Sequence, residues 1–154
     1  MLIDLPLLKY QSLLKYQQLE NHQHVWDCIR RQYVRAFPEE LVRQLLVQYL
    51  ILEKGFAQHI AVEKQLNLLG QTRRFDILLY NSHFQPTILI ETKAAHVELN
   101  QAVFNQISAY NLAFKLPYLV VCNGITTYCA RLNWPQQSYD FIPAIPHFKE
   151  LNMI

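Results

Sequence analysis

Arg74-Phe75-Asp76 is followed by fourteen residues and then by Glu91-Thr92-Lys93, with Gln106-Ile-Ser-Ala-Tyr110 further along the chain. Two carboxylates and a lysine at that spacing can assemble a metal-dependent phosphodiesterase site. Ile77-Leu-Leu-Tyr80 and Thr87-Ile-Leu-Ile90 are short apolar runs on either side of the polar Asn81-Ser-His-Phe-Gln-Pro86, which predicts two antiparallel strands and a turn. Alternation along the second strand sends Leu89, Glu91 and Lys93 to one face and Ile88, Ile90 and Thr92 to the other. Asp76, at the open end of the first strand, then lies near Glu91. A divalent cation relieves the repulsion between two such carboxylates. Mg2+, with Mn2+ as a substitute, suits a set made of Asp76, Glu91, the backbone carbonyl of Thr92 and several waters. The Lys93 ammonium can steer the attacking water or stabilise charge in the transition state. The pattern is permissive, and a strand-end ion pair beside a turn aspartate fits the same spacing. Arg74, two residues before Asp76, leaves an extended strand on the same face and is the leading phosphate contact, whereas Arg73 leaves the opposite face.

The elements that must hold these residues read as follows. Residues 1–24 form an N-terminal arm with a local duplication, Leu7-Leu-Lys-Tyr-Gln11 and Leu13-Leu-Lys-Tyr-Gln17. Val25 to Arg35 reads as a helix, and Pro38 starts another that runs to Lys54 before Gly55 stops it. The second helix is amphipathic, with Leu41, Val42, Leu45, Leu46, Tyr49 and Leu50 as its buried stripe. On a helical wheel Glu39 falls beside Leu46 and Leu50 while Glu40 points to solvent, so Glu39 is the candidate to reach the site. Both glutamates also suit the positive end of a helix dipole, whatever else they do. Phe56–Leu66 reads as a strand, Asn67–Thr72 as the turn into the strand that carries Asp76, and Val97–Lys115 as a helix with Gln106 and Tyr110 on one face. That pair could orient Lys93 or touch nucleic-acid backbone, and it could equally be buried helix packing. Asn123-Gly124 marks a hairpin between Tyr118–Cys122 and Ile125–Leu132. Pro135, Pro143 and Pro146 predict that residues 133–154 form an irregular tail.

Trp26-Asp-Cys-Ile-Arg30, Pro38-Glu-Glu-Leu-Val-Arg-Gln44, Arg74-Phe-Asp76, Ile90-Glu-Thr-Lys-Ala94, Gln106-Ile-Ser-Ala-Tyr-Asn111 and Tyr118-Leu-Val-Val-Cys-Asn-Gly124 occur in that order. Together they resemble the N-terminal nuclease domain of type I restriction enzyme R subunits, and more closely the stand-alone proteins built from that domain. The resemblance implies the PD-(D/E)xK superfamily, a restriction-endonuclease-like α/β/α core with a mixed sheet of about four to five strands, and Asp76, Glu91 and Lys93 as the catalytic trio. It implies a helix glutamate, here Glu39, as an additional metal or water ligand, and it aligns Gln106 and Tyr110 with a Q-x-x-x-Y motif. The family pattern E-C-K-A-P is altered at Thr92 and Ala95. Thr92 is expected to face away from the site, so that change looks harmless. The motor domains of R subunits are absent from the sequence. A metal-dependent DNA nuclease is therefore expected, endonuclease or exonuclease, in a restriction, defence or repair setting. The alternative is a DNA-binding or assembly module that keeps the fold without cleaving. Expected partners are DNA, a second copy of the chain, and separate motor or specificity subunits.

Composition agrees. At 154 residues and 51% apolar, the chain can bury one core, so a single domain over 1–154 is expected, with the core at 25–132. No apolar run approaches the ~20 residues of a membrane span, and the first residues lack a basic segment before an apolar one, so a cytoplasmic location is expected. Cys28, Cys122 and Cys129 have no ligand spacing and read as buried thiols. A net charge of +2 is too small to advertise nucleic-acid binding by itself, though Arg30-Arg31-Arg35 and Arg73-Arg74 are local clusters. The three glycines form no phosphate loop, and the six histidines are too scattered for a zinc pair with evident partners.

Overall fold

The computed structural model describes residues 2–152. Among the described residues, nine strands come in three groups of three separated by two α-helices, giving a mixed α/β fold. Six strands form one sheet in sequential order: β4 (Ile60–Leu68), β5 (Gln71–Tyr80), β6 (Pro86–Thr92), β7 (Tyr118–Cys122), β8 (Thr127–Asn133) and β9 (Ser138–Ile142). All neighbours are antiparallel except β6 and β7. A parallel pair requires a crossover. It is supplied by α2 (Gln101–Tyr110), while α1 (Pro38–Leu52) precedes the sheet. Alternation along β6 splits the core as expected. Ile88 and Ile90 join Leu46, Leu50 and Phe56 on the α1 side, and Leu89 joins Phe104 and Ile107 on the α2 side.

Several expectations fail for physical reasons. The helix expected at Val25–Arg35 is a hairpin, made of β2 (His22–Asp27) and β3 (Gln32–Arg35), which with β1 (Tyr16–Leu19) forms a separate three-stranded sheet. Asp27 reverses the chain here, its Oδ1 accepting the backbone N–H groups of Ile29 and Arg30 at 2.8 and 2.9 Å. Val25, Tyr33 and Val34 suit strands better than helix. The start of the chain is not a loose arm, since Ile3 bridges to Thr127 and a 3₁₀ helix (Leu7–Leu13) buries Leu7 and Tyr10 in the α1-side core. The supposed irregular tail contributes β9, a sixth strand where four to five were expected, and buries Ile145 and Leu151. Met1, Met153 and Ile154 lie outside the described residues. The helix expected over Val97–Lys115 is shorter because the Asn100 side chain caps it, accepting the Val103 N–H. Cys122 and Cys129 are buried and unpaired, as expected, whereas Cys28 is half-buried. Among the described residues no helix is long and apolar enough to cross a membrane.

Candidate active site

The site is built at the open end of the β5–β6 hairpin. Ile77 pairs with Ile90 and Leu78 with Leu89, so Asp76 and Glu91 continue the ladder past its last matched residues. Asp76 Oδ2 accepts the Thr92 backbone N–H at 2.8 Å and the Thr92 hydroxyl at 3.1 Å. Lys93 Nζ lies 3.7 Å from Glu91 Oε1, and the Lys93 backbone N–H donates to the Cys122 carbonyl at 2.8 Å, anchoring the end of β6 to β7. Burial and the neighbouring Asp76 carboxylate push the Glu91 carboxyl up to about 8, against the lowering pull of Lys93. Burial likewise raises Asp76, although both hydrogen bonds from Thr92 and the charge of Arg43 oppose it.

Thr92 therefore does not stand apart from the site, contrary to the reading from strand alternation. At the end of a ladder the chain leaves the regular pleat, and a hydroxyl attached to the neighbouring residue can reach across it. The two glutamates at the start of α1 also differ from their wheel positions. Glu40, placed in solvent by that argument, is only 8% exposed. Its carboxylate accepts from Arg30 at 3.1 Å, from Gln44 at 2.8 Å, and from Arg43 through both oxygens. Glu39 is solvent-exposed, yet its carboxyl is raised by partial burial and by Asp76, with Lys93 and Arg43 opposing, which puts it within electrostatic reach of the cluster.

Two residues absent from the sequence argument complete the surroundings. Arg43 pairs with Glu40 and Glu63 and stands 3.8 Å from Asp76 Oδ1. Glu63 also pairs with Arg74, so that arginine is committed to neither Asp76 nor Glu91. Glu63 takes φ +52° between the matched pairs Val62–Ile77 and Lys64–Phe75, a left-handed kink in mid-strand of a kind that concentrates at functional sites. Nothing in the sequence signals that kink; Arg43 could have been found as the residue one helical turn after Glu40. On α2, Gln106 and Tyr110 are both exposed, not a buried pair, with Gln106 Nε2 3.4 Å from the Tyr110 hydroxyl. Tyr110 nevertheless shares a cavity with Glu91, Arg73 and Arg74. Among the described residues no group of three His, Cys, Asp or Glu side chains is placed to hold a metal ion. The available donor set is two crowded carboxylates, and hard oxygen donors that leave room for waters are what Mg2+ accepts.

The profile of the family described as type I restriction enzyme R protein N terminus matches residues 38–146. The chain belongs to that family. The matched span of this R-protein N-terminal domain begins with α1 and covers Glu39, Asp76, Glu91, Lys93, Gln106 and Tyr110. Its fold is similar to a solved fragment described as an HsdR subunit of a type I restriction enzyme from Vibrio vulnificus YJ016. The TM-score is 0.54 at 17% identity, and the match covers 76% of this chain and 25% of that one. The R-protein N-terminal domain thus spans about a quarter of the length of that structure. No curated protein sequence matches the chain.

Proposed function

We propose that the chain is a Mg2+-dependent DNA nuclease of the PD-(D/E)xK type, hydrolysing phosphodiester bonds with Asp76, Glu91 and Lys93. The observation that carries this reading is the crowding of two partly buried carboxyl groups beside a lysine, with Glu91 pushed up to about 8. Such a pair is poised to exchange a proton for a cation. Asp76, Glu91 and the Thr92 carbonyl would hold the Mg2+ ion, or Mn2+ in its place. Once bound, the ion supplies a Lewis acid for the phosphate and lowers the pKa of a water. Thr92 fixes the Asp76 carboxylate through two hydrogen bonds. Lys93 brings positive charge to the oxygens of the phosphate as it is attacked. Glu39, outside the buried cluster, is suited to orienting the water, and Gln106 to supporting the lysine side. Membership of the R-protein N-terminal family supports a restriction context for this reading, in which DNA is the substrate, separate motor or specificity subunits are the partners, and the chain works in the cytoplasm. The described residues of one chain carry one such cluster, so a double-strand break needs a second copy or a second encounter.

A second reading, an assembly module that keeps the fold without cleaving, has one observation in its favour: the Arg43 guanidinium already stands 3.8 Å from Asp76 and supplies fixed positive charge there. Cleavage of plasmid and linear DNA by the purified chain in Mg2+, Mn2+, Ca2+ and chelator separates the two. Under the nuclease reading, Asp76→Asn, Glu91→Gln and Lys93→Ala each lower the Mg2+-dependent rate by about 10²-fold or more. Rates equal to wild type in all three variants would overturn it.

A further inference from the structure

Two clefts adjoin the carboxylate cluster: Glu91 lines one, and Arg43, 3.8 Å from Asp76, lines the other. One, of about 230 Å3, is lined by Arg73, Phe75, Glu91 and Tyr110 among others. The second, of about 580 Å3, lies towards α1 and the end of β3, and its walls include Arg35, Phe37, Glu39, Arg43 and His96. Arg74 borders both.

Each cleft contains the same local arrangement. Phe37 is 54% exposed and the Arg35 guanidinium stands 4.7 Å from its ring centroid; Tyr110 is 41% exposed with Arg73 at 5.3 Å. Burial does not explain these rings. Capping does not explain Phe37 either, since its side chain makes no capping bond at the start of α1. The guanidinium groups are distinctive as well. Arg30, Arg43 and Arg74 are all held by carboxylates, but among the described residues no ion pair involves Arg35 or Arg73. Among the described residues, the arginines near the site without a carboxylate partner are the two poised over aromatic faces, with Arg35 Nη2 also 3.2 Å from His22 Nδ1. A ring offers stacking to a base, and a guanidinium beside it with no carboxylate to neutralise it offers charge to the adjoining phosphate. Bases inside a duplex are already stacked, so exposed rings give no advantage to a duplex, which needs only cations along its backbone.

We propose that the two clefts form a path for a single DNA strand, with unstacked bases laid on Phe37 and Tyr110, phosphates held by Arg35 and Arg73, and the scissile phosphate between them at Asp76 and Glu91. Only the last clause rests on the nuclease reading. Substrate of this class is an unwound, frayed or gapped segment, and Arg73 replaces Arg74 as the principal phosphate contact on the α2 side.

The test is equilibrium binding in Ca2+ of a labelled oligothymidine and of a blunt duplex with the same number of phosphates. Wild type binds the single strand more tightly. Phe37→Ala and Tyr110→Ala each weaken that binding about tenfold while leaving duplex binding unchanged. Tyr110→Phe retains single-strand affinity, which separates stacking from the bond to Gln106, and Phe84→Ala, an exposed ring at the far turn of the β5–β6 hairpin, changes nothing. Duplex binding as tight as single-strand binding, or alanine variants indistinguishable from wild type, would overturn the proposal. A chain that shows the aromatic dependence but never cleaves supports the strand path and sinks the nuclease reading. Metal-dependent cleavage without the aromatic dependence does the reverse.

Discussion

Removing the Glu40 carboxylate would strand charge in the interior: Arg43 is almost fully buried, and Arg30 reaches Glu40 from β3's side of the cleft. Breaking one member of a buried ion pair costs about 3–5 kcal/mol, because the partner keeps its desolvation penalty without its counter-charge. Glu40→Ala should fall at the low end of that range, since Arg43 retains Glu63. The adjacent Glu39→Ala should change stability by no more than about 0.5 kcal/mol, as expected for a surface position, while lowering nuclease activity. Urea unfolding of the two variants checks this, and a Glu40→Ala midpoint equal to that of wild type would refute the structural role. The contrast also shows where sequence reasoning failed. A helical wheel centred on apolar residues assumes that the buried face is apolar. In α1 the buried set includes Glu40, Arg43 and Gln44 beside Val42, Leu46, Val47 and Leu50, so the inward face is rotated away from Leu41 and Leu45. The placement of Asp76, Glu91 and Lys93 at one strand end was legible because strand alternation is a rigid rule; the contact of the Thr92 hydroxyl was not, because it is made where the ladder ends.

At the scale of elements, Asp27 couples the three-stranded sheet to α1. It is fully buried, closes the β2–β3 turn through two backbone bonds, and orients Arg30 towards Glu40. Asp27→Ala removes all of this at once and should cost about 3 kcal/mol, whereas Asp27→Asn keeps an acceptor for the turn and should cost less. Thermal unfolding that ranks the two variants equally would contradict a separate contribution from the turn bonds. The hairpin itself was illegible in the sequence for a reason that the duplicated Leu-Leu-Lys-Tyr-Gln segment makes plain. Its first copy lies in the 3₁₀ helix, with Leu7 and Tyr10 buried against α1, and its second runs as extended chain into β1 with Tyr16 exposed. Identical local propensity gives two structures, so tertiary burial decides between them. The β5–β6 hairpin and the Pro38 start of α1 were readable because turn chemistry and helix starts are local.

For the whole molecule, the carboxylate cluster makes stability depend on pH in a direction opposite to the usual one for acids. An unfolded Glu91 ionises near pH 4.5, but in the folded, metal-free chain burial and Asp76 hold its carboxyl at about 8. Between those values the native state binds more protons than the unfolded state, so stability falls as pH rises. The contribution of Glu91 is fully present below about pH 4.5 and is lost as pH climbs through about 8; Asp76, also raised, adds to the same trend. Chelator-treated protein should therefore lose Tm across this window. Mg2+ should restore it most at the alkaline end, where no proton must be displaced for the ion to bind. Glu91→Gln, neutral at every pH in the window, should flatten the Tm profile in chelator and abolish most of the Mg2+ response while remaining folded. Thermal scans of both proteins from pH 5 to 9, with and without Mg2+, decide the matter. A wild-type Tm that rises with pH in chelator, or a Mg2+ response unchanged by Glu91→Gln, would show that Arg43 and Lys93 already neutralise the cluster and that the protein needs no cation there.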